Sequence, residues 1–193
     1  MALEHALLVS LTERAGSGYE LARRFDKSIG FFWSATHQQI YRVLKRMEES
    51  GWLSSESVAQ DGRPDKKVYS VSEAGRAELA RWIAEPTDSE IPRIELGVKI
   101  RAAAYGDIDA LRAEVTRHRD QHAQRLEVYR LIEKKDFPVP DQLSGTALHQ
   151  YLVLRAGVRV EAGFTEWCDE VLQALAPRTP APRADDGESE TRR

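Results

Sequence analysis

The sequence has very little cysteine and no long apolar run. Cys168 is the only cysteine among 193 residues, which excludes an internal disulfide and a cysteine-based zinc cluster within one chain. A membrane-spanning helix needs ~20 consecutive apolar residues, and the longest apolar runs here are much shorter. The first residues, MALEHALLVSLTERAG, carry Glu4 early and lack the order of segments typical of a signal peptide. We therefore expect a cytoplasmic protein without a membrane segment.

The chain as a whole also has little excess of charge of either sign. The 28 basic and 31 acidic residues give a net charge of -3, which argues weakly against nucleic-acid binding over the entire surface. The distribution is uneven, because the stretch from Arg14 to Lys67 holds 10 basic and 7 acidic residues. This modest local excess leaves a nucleic acid possible as a partner of that stretch.

Apolar periodicity divides the chain into three regions. Residues 1–85 are helical with one strand-like interruption, residues 91–176 are helical almost throughout, and residues 177–193 have no apolar periodicity. The segment EPTDSEIP, with its two prolines, is typical of a linker between the first two regions. We predict two folded domains and a disordered tail, since the tail has almost nothing to bury against the entropy of ordering.

The first region has the element order of a winged helix-turn-helix. Three helices are predicted, and the third begins with a capping-box pattern, Thr36 and Gln39, and ends at Gly51. Alternating residues on either side of QDGRPD then predict a β-hairpin, and Ser72 begins a further helix. The predicted fold class is therefore mainly α with a small β-hairpin wing, joined to an α-helical dimerisation domain.

The third helix and the wing carry the side chains expected of a DNA interface. In a helix-turn-helix the second helix of the pair lies in the major groove, where Gln and Arg match base edges. We predict DNA contacts by residues of the third helix and of the hairpin: Thr36, Gln38, Gln39, Tyr41, Arg42, Lys45, Arg63, Lys66 and Lys67. A solvated face of a protein-interaction module without specific DNA binding is the alternative.

Two runs resemble the PadR family of bacterial transcriptional regulators. They are GYELARRFDKSIGFFWSATHQQIYRVLKRMEESGWL and GRPDKKVYSVSEAGRAELARWI, and the resemblance covers about Leu3 to Ile83. It implies a homodimeric regulator, usually a repressor, on a dyad-symmetric operator of double-stranded DNA. It also implies DNA contacts by Gln39 and Tyr41 and by the wing residues Arg63, Lys66 and Lys67.

This chain departs from the family pattern at three positions. Gln38 stands where the family often has a small residue, so the bases contacted need not match the operator of any relative. Asp61 and Asp65 at the wing tip oppose phosphate. We expect a moderate affinity for DNA.

The second region predicts dimerisation. Two long helices are expected, from Asp107 to about Lys135 and from about Thr146 to Ala176, and a helix of ~30 residues spans ~45 Å. The face expected to need a partner includes Val153, Val160, Phe164, Trp167 and Val171. Packing of the two helices only on each other and on the first domain is the alternative. The region resembles the long helical domain of one PadR subgroup.

The family resemblance implies a small effector, because members include sensors of phenolic or other aromatic compounds. Candidate walls of an effector site are the aromatic residues Trp82, Tyr105, Tyr151, Phe164 and Trp167. For each of these side chains, core packing is the more common role of an aromatic at helical spacing.

The sequence predicts no enzyme, no cofactor and no metal site. His118 and His122 have the i, i+4 spacing of a metal pair but lack an HExxH pattern. Ser10, Ser17 and Cys168 lie in no motif of a catalytic nucleophile.

Overall fold

The computed structural model describes residues 3–27, 35–60, 63–87 and 94–177, with the backbone alone at 25–27, 60 and 63–64. The chain divides into two compact units, Met1–Ile91 and Pro92–Arg193. The described elements of the first unit are, in order, α1 Leu3–Glu13, β1 Gly16–Ser17, α2 Gly18–Lys27, α3 His37–Glu49, β2 Leu53–Gln60, β3 Arg63–Val71 and α4 Glu73–Ile83. The predicted tail beyond residue 177 lies outside the described residues.

The wing is part of a three-stranded antiparallel sheet in the order β1-β3-β2. Strand β3 pairs along β2, with Lys67 opposite Ser57, and its other edge pairs with the two residues of β1. The sequence predicted only the two-stranded hairpin. Gly16 and Ser17 lie between α1 and α2; the hydroxyl of Ser17 caps α2, and both residues also add a strand at the edge of β3.

The core of the first unit joins all of its helices to the base of the sheet. Leu7, Leu8 and Leu11 of α1 are buried against α2 and α3. The remaining buried residues of this cluster are Leu21, Ala22, Ile40, Val43, Leu44, Met47, Leu53, Tyr69 and Val71. The apolar stripe of α3 is thus held inside, which fixes the opposite face of that helix towards solvent.

The second unit is a long helical hairpin with a short helix beside it. Its described elements are α5 Glu95–Arg101, a 3-10 turn Ala103–Tyr105, α6 Ile108–Asp136, a 3-10 turn Pro140–Gln142 and α7 Gly145–Ala174. Helix α6 begins at Asp107, whose carboxylate accepts the backbone N–H groups of Asp109 and Ala110.

Two separate apolar clusters lie along α6 and α7, and α5 contributes Leu96 to the second. One contains Leu126, Tyr129, Leu154 and Val158, and the other contains Leu96, Val115 and Cys168. Ion pairs connect the same two helices, including Arg119 Nε with Asp169 Oδ1 at 2.9 Å and Arg155 Nη1 with Glu133 Oε1 at 3.0 Å. The pairing runs antiparallel, since residues late in α6 meet residues early in α7.

The predicted fold class, mainly α with a small wing, is confirmed. The capping box at Thr36 and Gln39 and the left-handed Gly51, with φ of 74°, are both present. No helix in the described ranges is long and apolar enough to cross a membrane.

Candidate nucleic-acid interface

The amino-terminal end of α3 is fixed by a reciprocal cap. Thr36 Oγ1 accepts the backbone N–H of Gln39 at 3.2 Å, and Gln39 Oε1 accepts the backbone N–H of Thr36 at 2.8 Å. A bidentate contact with adenine uses both the oxygen and the nitrogen of a glutamine amide. Gln39 can therefore offer a base only the N–H groups of its side-chain amide while this cap is intact.

The outward face of α3 presents the other predicted side chains together. Gln38, Arg42 and Lys45 are exposed, and Lys45 lies 3.7 Å from Glu49 one turn later. The buried Ile40, Val43, Leu44 and Met47 on the other face hold this orientation. The side-chain amide of Gln38 takes no part in the cap. Gln38 is therefore better placed than Gln39 for a bidentate contact with a base.

The two wing lysines are each held by a carboxylate of the helices. Lys66 Nζ lies 2.7 Å from Glu20 Oε1 of α2, and Lys67 Nζ lies 2.7 Å from Glu48 Oε2 of α3. Both lysines were predicted as DNA contacts, and neither acid was singled out in the sequence. Arg63 lies in β3, but its side chain is outside the described residues, as is Asp61.

These ion pairs shift the pKa values of Glu20, Glu48 and Lys67. The hydrogen bond from Lys66, with a smaller contribution from the backbone N–H of Ser17, lowers the pKa of Glu20 to about 2. The hydrogen bond from Lys67, followed by that from Ser55, lowers the pKa of Glu48. The bond to Glu48 also raises the pKa of Lys67. The lowered pKa values favour the charged form of both carboxylates.

A cavity of about 560 Å³ lies between the start of α2, α3 and the wing. Tyr41, Lys66 and Lys67 line it together with Tyr19 and Arg23 of α2. The ring of Tyr41 covers the start of α2 so closely that a Cβ on Gly18 would lie 2.4 Å from Tyr41 Cε1.

Tyr19 and Arg23 were not among the predicted site residues. Tyr19 is 58% exposed, and the guanidinium of Arg23 lies 5.9 Å from the centre of its ring. The sequence signal that could have found them is the i, i+4 spacing of the two residues on α2. Both residues have the chemistry of a phosphate contact.

Two family models match the two units of the chain. The model of the Transcriptional regulator PadR-like family matches residues 7–81, and the model named Virulence activator alpha C-term matches residues 92–176. A probable transcriptional regulator of Mycobacterium tuberculosis, Rv1176c, is 56% identical over 187 residues, which is 91% of this chain and 98% of that protein. The chain belongs to the PadR-like family of transcriptional regulators.

Solved structures of other proteins have the same fold. The virulence activator AphA of Vibrio cholerae matches with a TM-score of 0.75 and 30% identity, over 90% of this chain and 98% of that one. Bacillus subtilis PadR in complex with operator DNA matches with a TM-score of 0.80 and 24% identity, over 91% and 100% of the two chains. The same protein has also been solved with p-coumaric acid, with a TM-score of 0.75 and 23% identity over 91% of this chain and 99% of that one.

The predicted dimerisation residues fall into two groups in this PadR-like chain. Val153 and Val160 of α7 are half-exposed, at 52% and 54%. Trp167 and Val171 instead pack against the buried cluster around Cys168 within the same unit. Phe164 is partly buried and stacks on His122, with ring centres 4.6 Å apart.

The predicted effector aromatics have different surroundings. Trp82 stacks on the buried His5 at 4.5 Å, and Tyr151 packs on Phe137 and donates to Glu133 at 3.3 Å. Tyr105 is 92% exposed beside one cavity of the second unit. Phe164 lines another, of about 460 Å³, and meets Trp167 edge-on.

The two histidines at metal-like spacing each engage a different carboxylate. His118 Nε2 lies 3.3 Å from Glu114, and His122 Nδ1 lies 2.5 Å from Glu161. The part of the chain that the structure describes contains no group of three or more His, Cys, Asp or Glu placed to hold a metal ion. Cys168 is buried, and burial raises the pKa of its thiol, the opposite of what a catalytic nucleophile requires.

Proposed function

We propose that this protein is a homodimeric DNA-binding regulator that represses transcription from a dyad-symmetric operator and is released by a small effector. The observation that carries this proposal is the face of α3. Its apolar stripe is buried, its start is fixed by the cap, and Gln38, Arg42 and Lys45 point outward. A helix held in this way can enter a major groove ~12 Å wide with its first turns at the base edges.

The proposed contacts divide by chemistry. Gln38 and Gln39 contact base edges, while the cations of α3 and the wing neutralise phosphates. Arg42, Lys45, Arg63, Lys66 and Lys67 form that second group, and Tyr41 donates its hydroxyl to a phosphate. Thr36 acts by holding the cap of α3. The operator complex of Bacillus subtilis PadR, a protein of the same fold, supports this mode of binding.

The homodimer is proposed to form through α7. Val153 and Val160 lie seven residues apart, which places them on one face of the helix, and both are half-exposed. Phe164, Trp167 and Val171 would then support this face from within the protomer. Two-fold symmetry would set two α3 helices roughly one DNA turn, ~34 Å, apart or a multiple of that distance.

An aromatic effector is proposed by analogy with the p-coumaric acid complex of Bacillus subtilis PadR. Among the candidates, Phe164 lines a cavity together with the cations Lys99 and Arg117. Glu95 and Glu114, which pair with these cations, line the same cavity. An aromatic acid would place its ring against Phe164, and its carboxylate would compete with Glu95 and Glu114 for these cations. The effector would release DNA only to the extent that it binds the released state more tightly.

Repression and a cytoplasmic location belong to the same proposal. The second curated relative, from Bacillus subtilis, is named a negative transcriptional regulator, and it is 26% identical over 90% of this chain and 97% of that protein. A transcriptional regulator acts on chromosomal DNA, which in a bacterium lies in the cytoplasm. If the protein binds no duplex, the winged-helix unit would instead serve as a protein-interaction module.

The test is fluorescence anisotropy of labelled DNA from the region upstream of the protein's own gene, against a scrambled duplex. At ~50 and ~200 mM salt, we expect tighter binding to the upstream duplex. Arg42→Ala should weaken that binding by about tenfold, as expected for loss of one good base or phosphate contact.

Arg46→Ala is the matched control, because Arg46 lies on the same helix but pairs with Glu4 of α1. It should leave DNA affinity close to that of the unmodified protein. If Arg42→Ala binds the upstream duplex as tightly as the unmodified protein does, the outward face of α3 is not the DNA interface.

A further inference from the structure

Both wing lysines are already neutralised by the body of the first unit. Lys66 meets Glu20 of α2 and Lys67 meets Glu48 of α3, each at 2.7 Å between nitrogen and oxygen. The partners are 46 and 19 residues apart in sequence. The pairs therefore come from the folding of the wing against the helices.

Each carboxylate is also fixed by a second contact. Glu20 Oε2 accepts the backbone N–H of Ser17 at 2.9 Å, while its other oxygen accepts Lys66. Glu48 Oε1 accepts the hydroxyl of Ser55 at 2.5 Å, while its other oxygen accepts Lys67. Because one oxygen is anchored, the other is held in place for the lysine.

The paired lysines remain accessible to solvent. The side chains of Lys66 and Lys67 are 29% and 51% exposed. An ammonium group has three donors, so each lysine can reach a phosphate without leaving its carboxylate. A phosphate that approaches the pair nevertheless meets a site with no net charge and with a carboxylate close by.

Non-specific DNA binding depends on net charge. Its free energy comes from counterions released when cations neutralise phosphates, and a lysine paired with a carboxylate releases fewer of them. In a specific complex, by contrast, base contacts of α3 would hold the wing against the backbone. Charge compensation of this kind thus weakens non-specific binding more than specific binding.

We propose that Glu20 and Glu48 are specificity-determining residues that shield Lys66 and Lys67 from non-specific DNA. This inference rests on the proposed DNA-binding function. Lys45 has a weaker version of the same arrangement, with Glu49 at 3.7 Å, so the compensation continues onto α3.

The test uses the full-length variants Glu20→Gln and Glu48→Gln. Glutamine at position 20 retains an acceptor for the backbone N–H of Ser17, and glutamine at position 48 retains an acceptor for the hydroxyl of Ser55. Binding to a random-sequence duplex is measured by anisotropy between ~50 and ~200 mM salt. Circular dichroism melting of each variant verifies that the fold is retained.

Each variant should bind the random duplex more tightly than the unmodified protein and with a steeper salt dependence. If one lysine is released to neutralise one phosphate, the slope of log K against log salt changes by about 0.9. The ratio of affinities at the two salt concentrations then grows by about 3.5-fold. The upstream duplex should gain less, so the ratio of specific to non-specific affinity falls.

Glu56→Gln is the control for loss of a negative charge from the wing itself. Glu56 lies exposed on β2, opposite Val68, and is in no ion pair with either lysine. It should change the slope much less than Glu48→Gln. In a Lys67→Met background, Glu48→Gln should have no further effect on the slope, since the shielded cation is gone.

Two results would overturn the inference while leaving the proposed function in place. One is a slope for both variants equal to that of the unmodified protein or of Glu56→Gln. The other is weaker binding by both variants, which would mean that the carboxylates orient the lysines for DNA. If the unmodified protein binds neither duplex, the proposed function itself fails, and that result comes from its own titration.

Discussion

At the residue scale, Gly18 lies directly under the ring of Tyr41, which was predicted to contact DNA. A Cβ at this position would lie 2.4 Å from Tyr41 Cε1. Because the atom in the way belongs to a side chain, we expect Gly18→Ala to displace the ring rather than unfold the unit. Alanine also favours the first turn of α2 over glycine, so the melting temperature should change little.

The displaced ring should weaken binding to the upstream duplex by about three- to tenfold, as for loss of one hydrogen bond to a phosphate. Anisotropy measures this change, and Tyr41→Phe should cause a similar loss. Gly106→Ala is the control, because a Cβ there has no neighbour within 4 Å and Gly106 lies outside α7. If Gly18→Ala binds like the unmodified protein, Tyr41 makes no useful contact with DNA.

At the element scale, a buried polar contact joins α1 to α4. His5 is 4% exposed, stacks on Trp82 and lies 2.9 Å from Glu78. Hydrogen bonds from Arg81, and then from His5, lower the pKa of Glu78 from its ordinary value of 4.5 to about 2. The folded state therefore favours the charged form of the Glu78 carboxylate over its protonated form.

This depressed pKa predicts an acid-sensitive junction. Its contribution to stability is complete above the unfolded pKa of about 4.5 and is lost as the pH falls towards 2. In urea unfolding at pH 7, 4.5 and 3, Glu78→Gln should therefore lose less stability than the unmodified protein between pH 4.5 and 3. A residual loss is expected, since Glu20 also has a pKa of about 2. Equal losses in the two proteins would contradict the assignment.

Elements whose signals are local could be predicted from the sequence. The capping box that starts α3, Gly51 at its end and Ser72 before α4 each act within a few residues, so their patterns located these helices closely. Strand β1 was missed because two residues, Gly16 and Ser17, have no periodicity and form a strand only against the edge of β3. Its existence depends on tertiary structure.

The candidate site was predicted only in part for the same reason. Exposure of Gln38 and Arg42 follows from helical periodicity, which sequence supplies. The partnership of Lys66 with Glu20 and of Lys67 with Glu48 depends on how the wing folds back on the helices. Use of the Gln39 oxygen in the cap was implied by the capping-box pattern, but its cost to base recognition follows only from the bond geometry.

At the scale of the whole molecule, the proposed repressor needs two copies of α3 on one operator. Packing of α6 on α7 already buries Leu126, Tyr129 and Leu154 within the protomer. Val153 and Val160 are left half-exposed on α7. Exposed branched apolar residues on one face of a long helix are typical of a surface that a second copy covers.

We therefore expect the double variant Val153→Asp, Val160→Asp to be monomeric. The protomer should stay folded, because neither Val153 nor Val160 belongs to its buried clusters. In a dimer, by contrast, the introduced carboxylates would lie buried and close together, which is unfavourable. Light scattering after size exclusion measures the mass, and anisotropy should show weaker operator binding, since a monomer holds only one half-site. A variant that remains dimeric and binds DNA normally would place the interface on another surface, and α7 would then be a helix of the protomer alone.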